Sequence, residues 1–288
     1  MKLILIDGSG FIYRAFYALP KLISKYDQTP VGAVYGFCNM TLSIANAHKH
    51  DYIAVVFDAG RKTFRHEIYA EYKANRGDVP EDLIPQFPMV RTVCDVLGIP
   101  HMEENGVEAD DLIASYTAKA KESGLLTEIV SSDKDLIQVM GDNVEIYDPM
   151  KSKFLSSESV FEKYGIYPHQ MIDFQALVGD ASDNIPGIAG VGPKTAAMLL
   201  QQFGSLDSIF ANPDQITPIK VRERLVKYKE DAYISKKLST LRTDLIIETP
   251  IENLVRRQIV PDVAYSFFNK HGFNSIISRW LQDDLNLL

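Results

Sequence analysis

Four short apolar runs punctuate the first 150 residues, and each leads straight into acids. Residues 2 to 6 read KLILI and stop at Asp7; residues 52 to 57, in DYIAVVFDA, stop at Asp58. A third run near 126 to 131, in LLTEIVSSDKD, leads to Asp133 and Asp135, and NVEIYD supplies a fourth around 144 to 147. Apolar runs with little polar alternation predict strands covered on both faces. Helical periods lie between them. After Asp110 the positions Leu112, Ile113, Tyr116 and Ala120 share one face, with Gly124 as a stop. Residues 33 to 47 and 86 to 97 carry the same period. Residues 1–165 are therefore expected to form an α/β domain, its central, mostly parallel sheet flanked by helices. Ligands of open α/β sheets gather at the carboxyl ends of the strands. Neighbouring strands would bring Asp7, Asp58, Asp133 and Asp135 together there.

The pattern changes after about residue 165. QMIDFQALVGDASDNIPGIAGVGPKTAAMLLQQFGSL lacks a strand signal and reads as helix, Gly-rich turn, helix, and residues 219 to 242 form a basic helical region. Residues 166–288 are expected to form a helical region packed on the first, since no long linker, repeat or low-complexity stretch separates them.

Composition narrows the function. The chain has 288 residues and a net charge of -8 from 30 Lys+Arg and 38 Asp+Glu. Its two cysteines, Cys38 and Cys94, have no metal-ligand spacing, which argues against a disulfide framework or a zinc site. The apolar start is too short for a signal peptide, and no run approaches the ~18 apolar residues of a membrane span. A reducing, cytoplasmic setting without a membrane partner is expected.

The acids are concentrated. GVEADDLIASYTAKA places Glu108, Asp110 and Asp111 within four positions, and GDASDN adds Asp180 and Asp183. Any one of these, or of Asp7, Asp58, Asp133 and Asp135, could be a plain helix cap or turn former. Together they form an oxygen-only donor set without histidine or cysteine, which suits Mg²⁺ and disfavours zinc and copper. Two such ions can clamp the attacking and leaving oxygens of a phosphodiester. Cations would also explain the crowding in GVEADD, because unneutralised neighbours raise one another's pKa. With those nine acids set aside, 29 remain against 30 cations, so the negative net charge is compatible with a polyanionic substrate.

Two further stretches fit such a substrate. GRKTFRHEIYAEYKANRGD, residues 60 to 78, interleaves Arg61, Lys62, Arg65, Lys73 and Arg76 with Phe64, Tyr69 and Tyr72. That pattern suits single strands or frayed ends, although an amphipathic helix with its rings in the core reads the same way. GIAGVGPKTAAMLL, residues 187 to 200, puts glycines ahead of Pro193 and Lys194 at a helix start, an arrangement that can bind an anion. It lacks the P-loop spacing. It is similar to a helix-hairpin-helix, which grips a duplex backbone.

DGSGFIYRAFYA, VVFDAGRKTFRHEIYAEYKANR, EADDLIA, SSDKDLIQV and LVGDASDNIPGIAGVGPKTA resemble, in order, the motifs of the 5′→3′ exonuclease domain of bacterial DNA polymerase I, which is similar to flap endonucleases. The resemblance reaches to about residue 281. It implies a PIN-like nuclease core, a helical arch over about 62–95, and a C-terminal helix-hairpin-helix (helix-three-turn-helix) region. It implies hydrolysis of DNA at 5′ flaps, nicks and 5′ ends, RNA-primed ones included, with two or more Mg²⁺ or Mn²⁺ ions. The metal-binding acids would be Asp7, Asp58, Glu108, Asp110, Asp111, Asp133, Asp135, Asp180 and Asp183. Lys73 and Arg76 would contact the scissile phosphate, and Tyr72 would stack on a terminal base. Arg14 and Phe16 would sit near the duplex junction, with Lys62 and Arg65 on the DNA. Gly190, Gly192, Lys194 and Thr195 would hold the downstream duplex, with K⁺ on the turn's backbone oxygens. A monomer acting in replication and repair beside the nucleoid, with a DNA polymerase as partner, is the implied setting. Polymerase I continues into further domains, whereas LQDDLNLL resembles neither a linker nor the start of one; a stand-alone nuclease or a piece of a longer protein is expected. Two rivals are a junction-binding scaffold without catalysis and a small-molecule phosphohydrolase on a similar metal cluster.

Overall fold

The computed structural model describes residues 1–281, so most of LQDDLNLL lies outside the described residues. The chain runs β1 (Lys2–Asp7), α1 (Gly8–Ala18), α2 (Gly32–Ala47), β2 (Tyr52–Val56), α3 (Arg65–Ile68), α4 (Gln86–Val96), β3 (His101–Met102), α5 (Ala109–Glu122), β4 (Leu126–Val130), β5 (Val144–Asp148), β6 (Lys153–Phe154), α6 (Ser157–Tyr164), α7 (Met171–Val178), α8 (Pro193–Phe203), α9 (Leu206–Ala211), α10 (Ile219–Lys227), α11 (Lys229–Ser239) and α12 (Pro261–His271). The six strands form one sheet in the order β3-β2-β1-β4-β5-β6. All neighbours pair parallel except β5 and β6.

The central place of β1 explains its sequence. Leu3 and Leu5 pack into one core with α5, α7 and α8, while Ile4 and Ile6 pack into the other with α1, α2, α4 and α12. All four are fully buried. A strand covered on both faces cannot alternate with polar residues. The pairs Asp7↔Val56 and Ile6↔Val130 fix the register, so β1, β2 and β4 end side by side.

The expected helices at 33–47, 86–97 and after Asp110 are present as α2, α4 and α5. α1 begins directly after β1 and is not among the expected helices; Asp7 caps it by accepting from the Gly10 N–H at 2.8 Å. The expected helical arch over 62–95 differs most. Only α3 and α4 are helical there, and the chain between them is turns. The interleaved rings and cations of 60 to 78 thus follow no single helix face.

The helical part matches its pattern. α7 ends at Gly179, a compact loop carries Asp180 and Asp183, and α8 opens at Pro193 behind Gly192. The loop closes on itself: Asp180 and Ile185 exchange backbone bonds of 2.9 and 2.8 Å. Gly179 sits at φ +74, and a Cβ there would lie 2.5 Å from the Ile185 carbonyl oxygen, so the turn requires glycine.

Candidate active site

The carboxyl ends of β1, β2 and β4, the start of α5 and the loop after α7 border one cavity of about 440 Å³. Its wall holds Asp7, Asp58, Glu108, Asp110, Asp133, Asp135, Asp180 and Asp183. Each arrives by a different local rule. Asp7 caps α1. Asp58 follows β2 and accepts from the Ala109 N–H at 2.8 Å, which ties β2 to the head of α5. Asp133 turns the chain after β4 by accepting from the Asp135 N–H at 2.9 Å. Asp135 accepts from Gln175 Nε2 at 2.6 Å, reaching across to α7.

Charge divides these acids into two sets. Glu108 pairs with Lys73 at 2.7 Å, Asp180 with Lys134 at 2.5 Å, and Asp183 with Arg76. Among the described residues Asp7, Asp58, Asp110, Asp133 and Asp135 have no cationic side chain within ion-pair distance. The consequence shows in the protonation of Asp7, Asp110 and Asp135. Burial and the carboxylates of Asp133 and Asp58 push Asp7 up to about 6. Burial and Asp133 push Asp135 to about 7. Asp110 is held well above its ordinary value by burial, then by Asp133, Asp7, Asp135 and Asp58. In the paired set, burial would raise Asp180, but Lys134 and the hydrogen bonds from Ser182 together outweigh it and its pKa falls. Burial would lower Lys73, but Glu108 and Asp183 outweigh it and its pKa rises.

This donor set fits hard divalent cations. Oxygen atoms are the only donors, and the unpaired carboxylates lack the positive charge that would let them ionise together. Among the described residues no three His, Cys, Asp or Glu side chains close tightly enough around one point to hold an ion as they stand. Ligation would therefore draw the carboxylates inward and leave room for water in the coordination shell.

Three expected site residues are buried and take other parts than expected. Asp111 does not reach the cavity: it is fully buried and bonded by both oxygens to Arg65, at 2.6 and 2.8 Å. Arg65 is consequently only 1% exposed and cannot meet DNA. Tyr72 is 3% exposed, its hydroxyl donates toward Glu108 and Asp183, at 3.2 and 3.1 Å, and although it borders the larger neighbouring cavity little of its ring is open to a base. α3 carries Arg65 inward onto Asp111 of α5, and the turns after α3 fold Tyr72 in behind it.

Lys73 and Arg76 do face the cavity. Lys73 is held there by a left-handed backbone, φ +56, and by its N–H donating to the Asp183 carbonyl at 2.9 Å. A second cavity, of about 800 Å³, opens beside the first and shares Ser9, Tyr13, Asp58, Lys73, Arg76 and Glu108 with it. Tyr13, Tyr17, Phe57 and Phe87 line it together with Arg61 and Arg91. Tyr13 and Tyr17 are exposed. Sequence reasoning chose Arg14 and Phe16 from the same segment. Both are partly buried, Arg14 within 3.4 Å of the Ser132 hydroxyl and Phe16 edge-on to Tyr17. The helical period of α1 was the signal that could have separated them. Lys134 and Lys163 also border the acidic cavity and were missed, although Lys134 stands between two chosen acids. Lys62 is exposed on the rim of the basic stretch.

On the helical side Gly192, Lys194 and Thr195 lie at the start of α8, with Lys194 exposed. Gly190 takes a left-handed φ of +81, and its carbonyl accepts from Arg224 of α10 at 2.6 Å. No helix of the described residues is long and apolar enough to cross a membrane.

Two family models match the chain: a 5′-3′ exonuclease N-terminal resolvase-like domain over residues 2–165, and a 5′-3′ exonuclease C-terminal SAM fold over 166–262. A 5′-3′ exonuclease of Aquifex aeolicus is 42% identical over 252 residues, covering 88% of this chain and 86% of that one. DNA polymerase I of Rhizobium leguminosarum is 46% identical over 260 residues, 88% of this chain, and the match spans 26% of the polymerase's length. Among solved structures, the bacteriophage T5 flap endonuclease in a pseudo-enzyme-product complex with DNA and metal ions superposes with a TM-score of 0.67 at 21% identity, over 99% of this chain and 98% of that one. That likeness shows the fold.

Proposed function

This chain belongs to the 5′-3′ exonuclease family, and from that premise we propose that it is a structure-specific, metal-dependent 5′ nuclease that hydrolyses phosphodiester bonds near DNA 5′ ends and at 5′ flaps. The observation that carries the reading is the cavity that gathers five uncompensated carboxylates beside the cations Lys73 and Arg76. Mg²⁺ or Mn²⁺ ions held there would supply a nucleophile at neutral pH and stabilise the leaving 3′ oxygen. Asp7, Asp58, Asp110, Asp133 and Asp135 would hold them, joined by Glu108, Asp180 and Asp183 as their cationic partners turn to phosphate.

The protein's own groups divide the remaining work. Lys73 and Arg76 would place positive charge on the phosphate oxygens as negative charge builds. The neighbouring aromatic and basic cavity suits an unpaired 5′ end, with Tyr13 and Tyr17 offering rings for stacking and Arg61 meeting the backbone. Arg14, Phe16 and Lys62 would lie near the junction. The start of α8, with Gly190, Gly192, Lys194 and Thr195, would hold the duplex backbone. A K⁺ ion on carbonyls of that turn would have to leave the Gly190 oxygen to Arg224 or displace it. The polymerase relatives support a role beside a DNA polymerase in replication and repair; a monomeric, cytoplasmic nuclease is part of the same proposal.

The deciding experiment maps the cut on a 5′-labelled flap duplex in Mg²⁺ and in EDTA. Cleavage within a nucleotide or so of the junction, in Mg²⁺ alone, is expected. Tight flap binding without cleavage would indicate a scaffold, and turnover of p-nitrophenyl phosphate with flap DNA left intact would indicate a small-molecule phosphohydrolase.

A further inference from the structure

We infer that Asp111, the last acid of GVEADD, holds no metal and instead forms with Arg65 a buried positioning pair. The pair fixes the metal-bearing head of α5 to the chain on either side of it. The inference rests on the reading of the acidic cavity as a metal site.

The lone pairs of Asp111 are already used. Oδ1 accepts from Arg65 Nη2 at 2.8 Å and from the Arg242 N–H at 2.9 Å. Oδ2 accepts from Arg65 Nη1 at 2.6 Å and from the Glu108 N–H at 3.1 Å. A carboxylate has about four lone-pair sites, and four donors occupy these. The guanidinium supplies the neutralising charge that a cation would otherwise bring. Asp110, one residue earlier, borders the cavity without a cationic side chain within ion-pair distance. A helix turns about 100° per residue, so two adjacent acids face different surroundings and take different roles.

Arg65 is used as fully. Its Nε donates to the Leu238 carbonyl at 2.8 Å and its Nη2 to the Thr240 carbonyl at 3.3 Å, both at the end of α11. Its Nη1 lies 3.6 Å from Glu108 Oε2, and Phe64 packs under the guanidinium with the ring centroid 4.6 Å away. Three segments meet on one side chain: α3, the head of α5 and the exit of α11. One turn earlier in α11, the buried Ser235 hydroxyl accepts from the Gly187 N–H at 2.9 Å. The same helix therefore touches the Gly-rich turn at Ser235 and Arg65 at its exit. Lysine could not replace Arg65, because only the planar fork serves a carboxylate and two carbonyls at once.

The test measures Mn²⁺ binding to the full chain without DNA, by calorimetry or by loss of the free-ion paramagnetic signal. Asp110→Asn should lower Mn²⁺ affinity by at least about tenfold or remove an ion. Asp111→Asn should keep the number of ions and an affinity within about threefold of wild type. Should the lone Arg65 charge left in Asp111→Asn prevent folding, the double variant Arg65→Leu with Asp111→Leu makes the same comparison, since apolar replacement of a buried pair is tolerated. In that variant kcat on a flap duplex at saturating Mn²⁺ should fall at least about tenfold with KM within about threefold, because ions are held but Glu108 and Lys73 are no longer aligned. Arg65→Lys should recover little of that loss. A loss of Mn²⁺ in Asp111→Asn equal to that in Asp110→Asn overturns the inference and leaves the metal site standing. Unchanged Mn²⁺ binding in Asp110→Asn defeats the metal-site reading itself. Full kcat in the double variant defeats the positioning role.

Discussion

Raising the pH should weaken this protein when divalent cations are withheld, and Asp135 sets much of the effect. Burial first, then Asp133, moves its carboxyl from 3.8 to about 7. The unfolded chain gives up that proton near its ordinary value, so between those two pKa values the native state binds more protons than the unfolded state. Stability must then fall as pH rises through this window. The cost is absent below the unfolded pKa and complete above the folded one. From about pH 5.5 to about pH 8 it grows by roughly 1.5 pK units, or about 2 kcal/mol at ~1.4 kcal/mol per unit. For a chain of 288 residues, at ~2.1 cal/mol/K of unfolding entropy per residue, that is about 3 °C in Tm. The assay is thermal unfolding in EDTA across that range, for wild type and Asp135→Asn. Asparagine keeps an oxygen for Gln175 and cannot ionise. The advantage of the variant over wild type should widen by that amount as pH rises. The comparison cancels His271, whose burial pushes its pKa below 6.5 and which favours the opposite trend. Saturating Mg²⁺ should remove most of the slope, because a bound cation takes the place of the proton. A variant-to-wild-type difference that is the same at both ends of the range would refute the reasoning, since Asp135 would then titrate as an ordinary acid.

Lys73→Ala should slow flap cleavage by at least about a hundredfold while changing duplex affinity less than about threefold, measured by single-turnover cleavage beside equilibrium binding; equal losses in both would make Lys73 an anchor only. Gly179→Ala should lower Tm by several degrees, because its Cβ meets backbone atoms of Ile185, Pro186 and Gly187 at 2.5–2.9 Å; an unchanged melting curve would show that the loop bearing Asp180 and Asp183 yields without cost. Lys194→Ala should reduce the steepness of the salt dependence of duplex binding by about one counterion, while kcat on saturating flap stays at its wild-type value; an unaltered salt slope would place the duplex elsewhere.

The chain order of apolar runs and acids determined the α/β domain, the strand-end position of Asp7, Asp58 and Asp133, and the start of α8 at Pro193. These follow from periods and caps, which are local properties of the chain. The merging of the strand ends was legible only as a condition, because it needed β1 to lie between β2 and β4, and register is a matter of long-range pairing. Tertiary structure alone decided which member of a like-looking set does what. Asp110 and Asp111 are indistinguishable as letters, yet one borders the cavity and the other is spent on Arg65, where three segments of chain meet. Tyr72 and Tyr13 are equally aromatic, yet the turns after α3 bury the first and leave the second open. The physical reason is common to both. Local sequence fixes the direction in which a backbone leaves a residue, but a side chain's partner is chosen by whatever distant segment the packing brings against it.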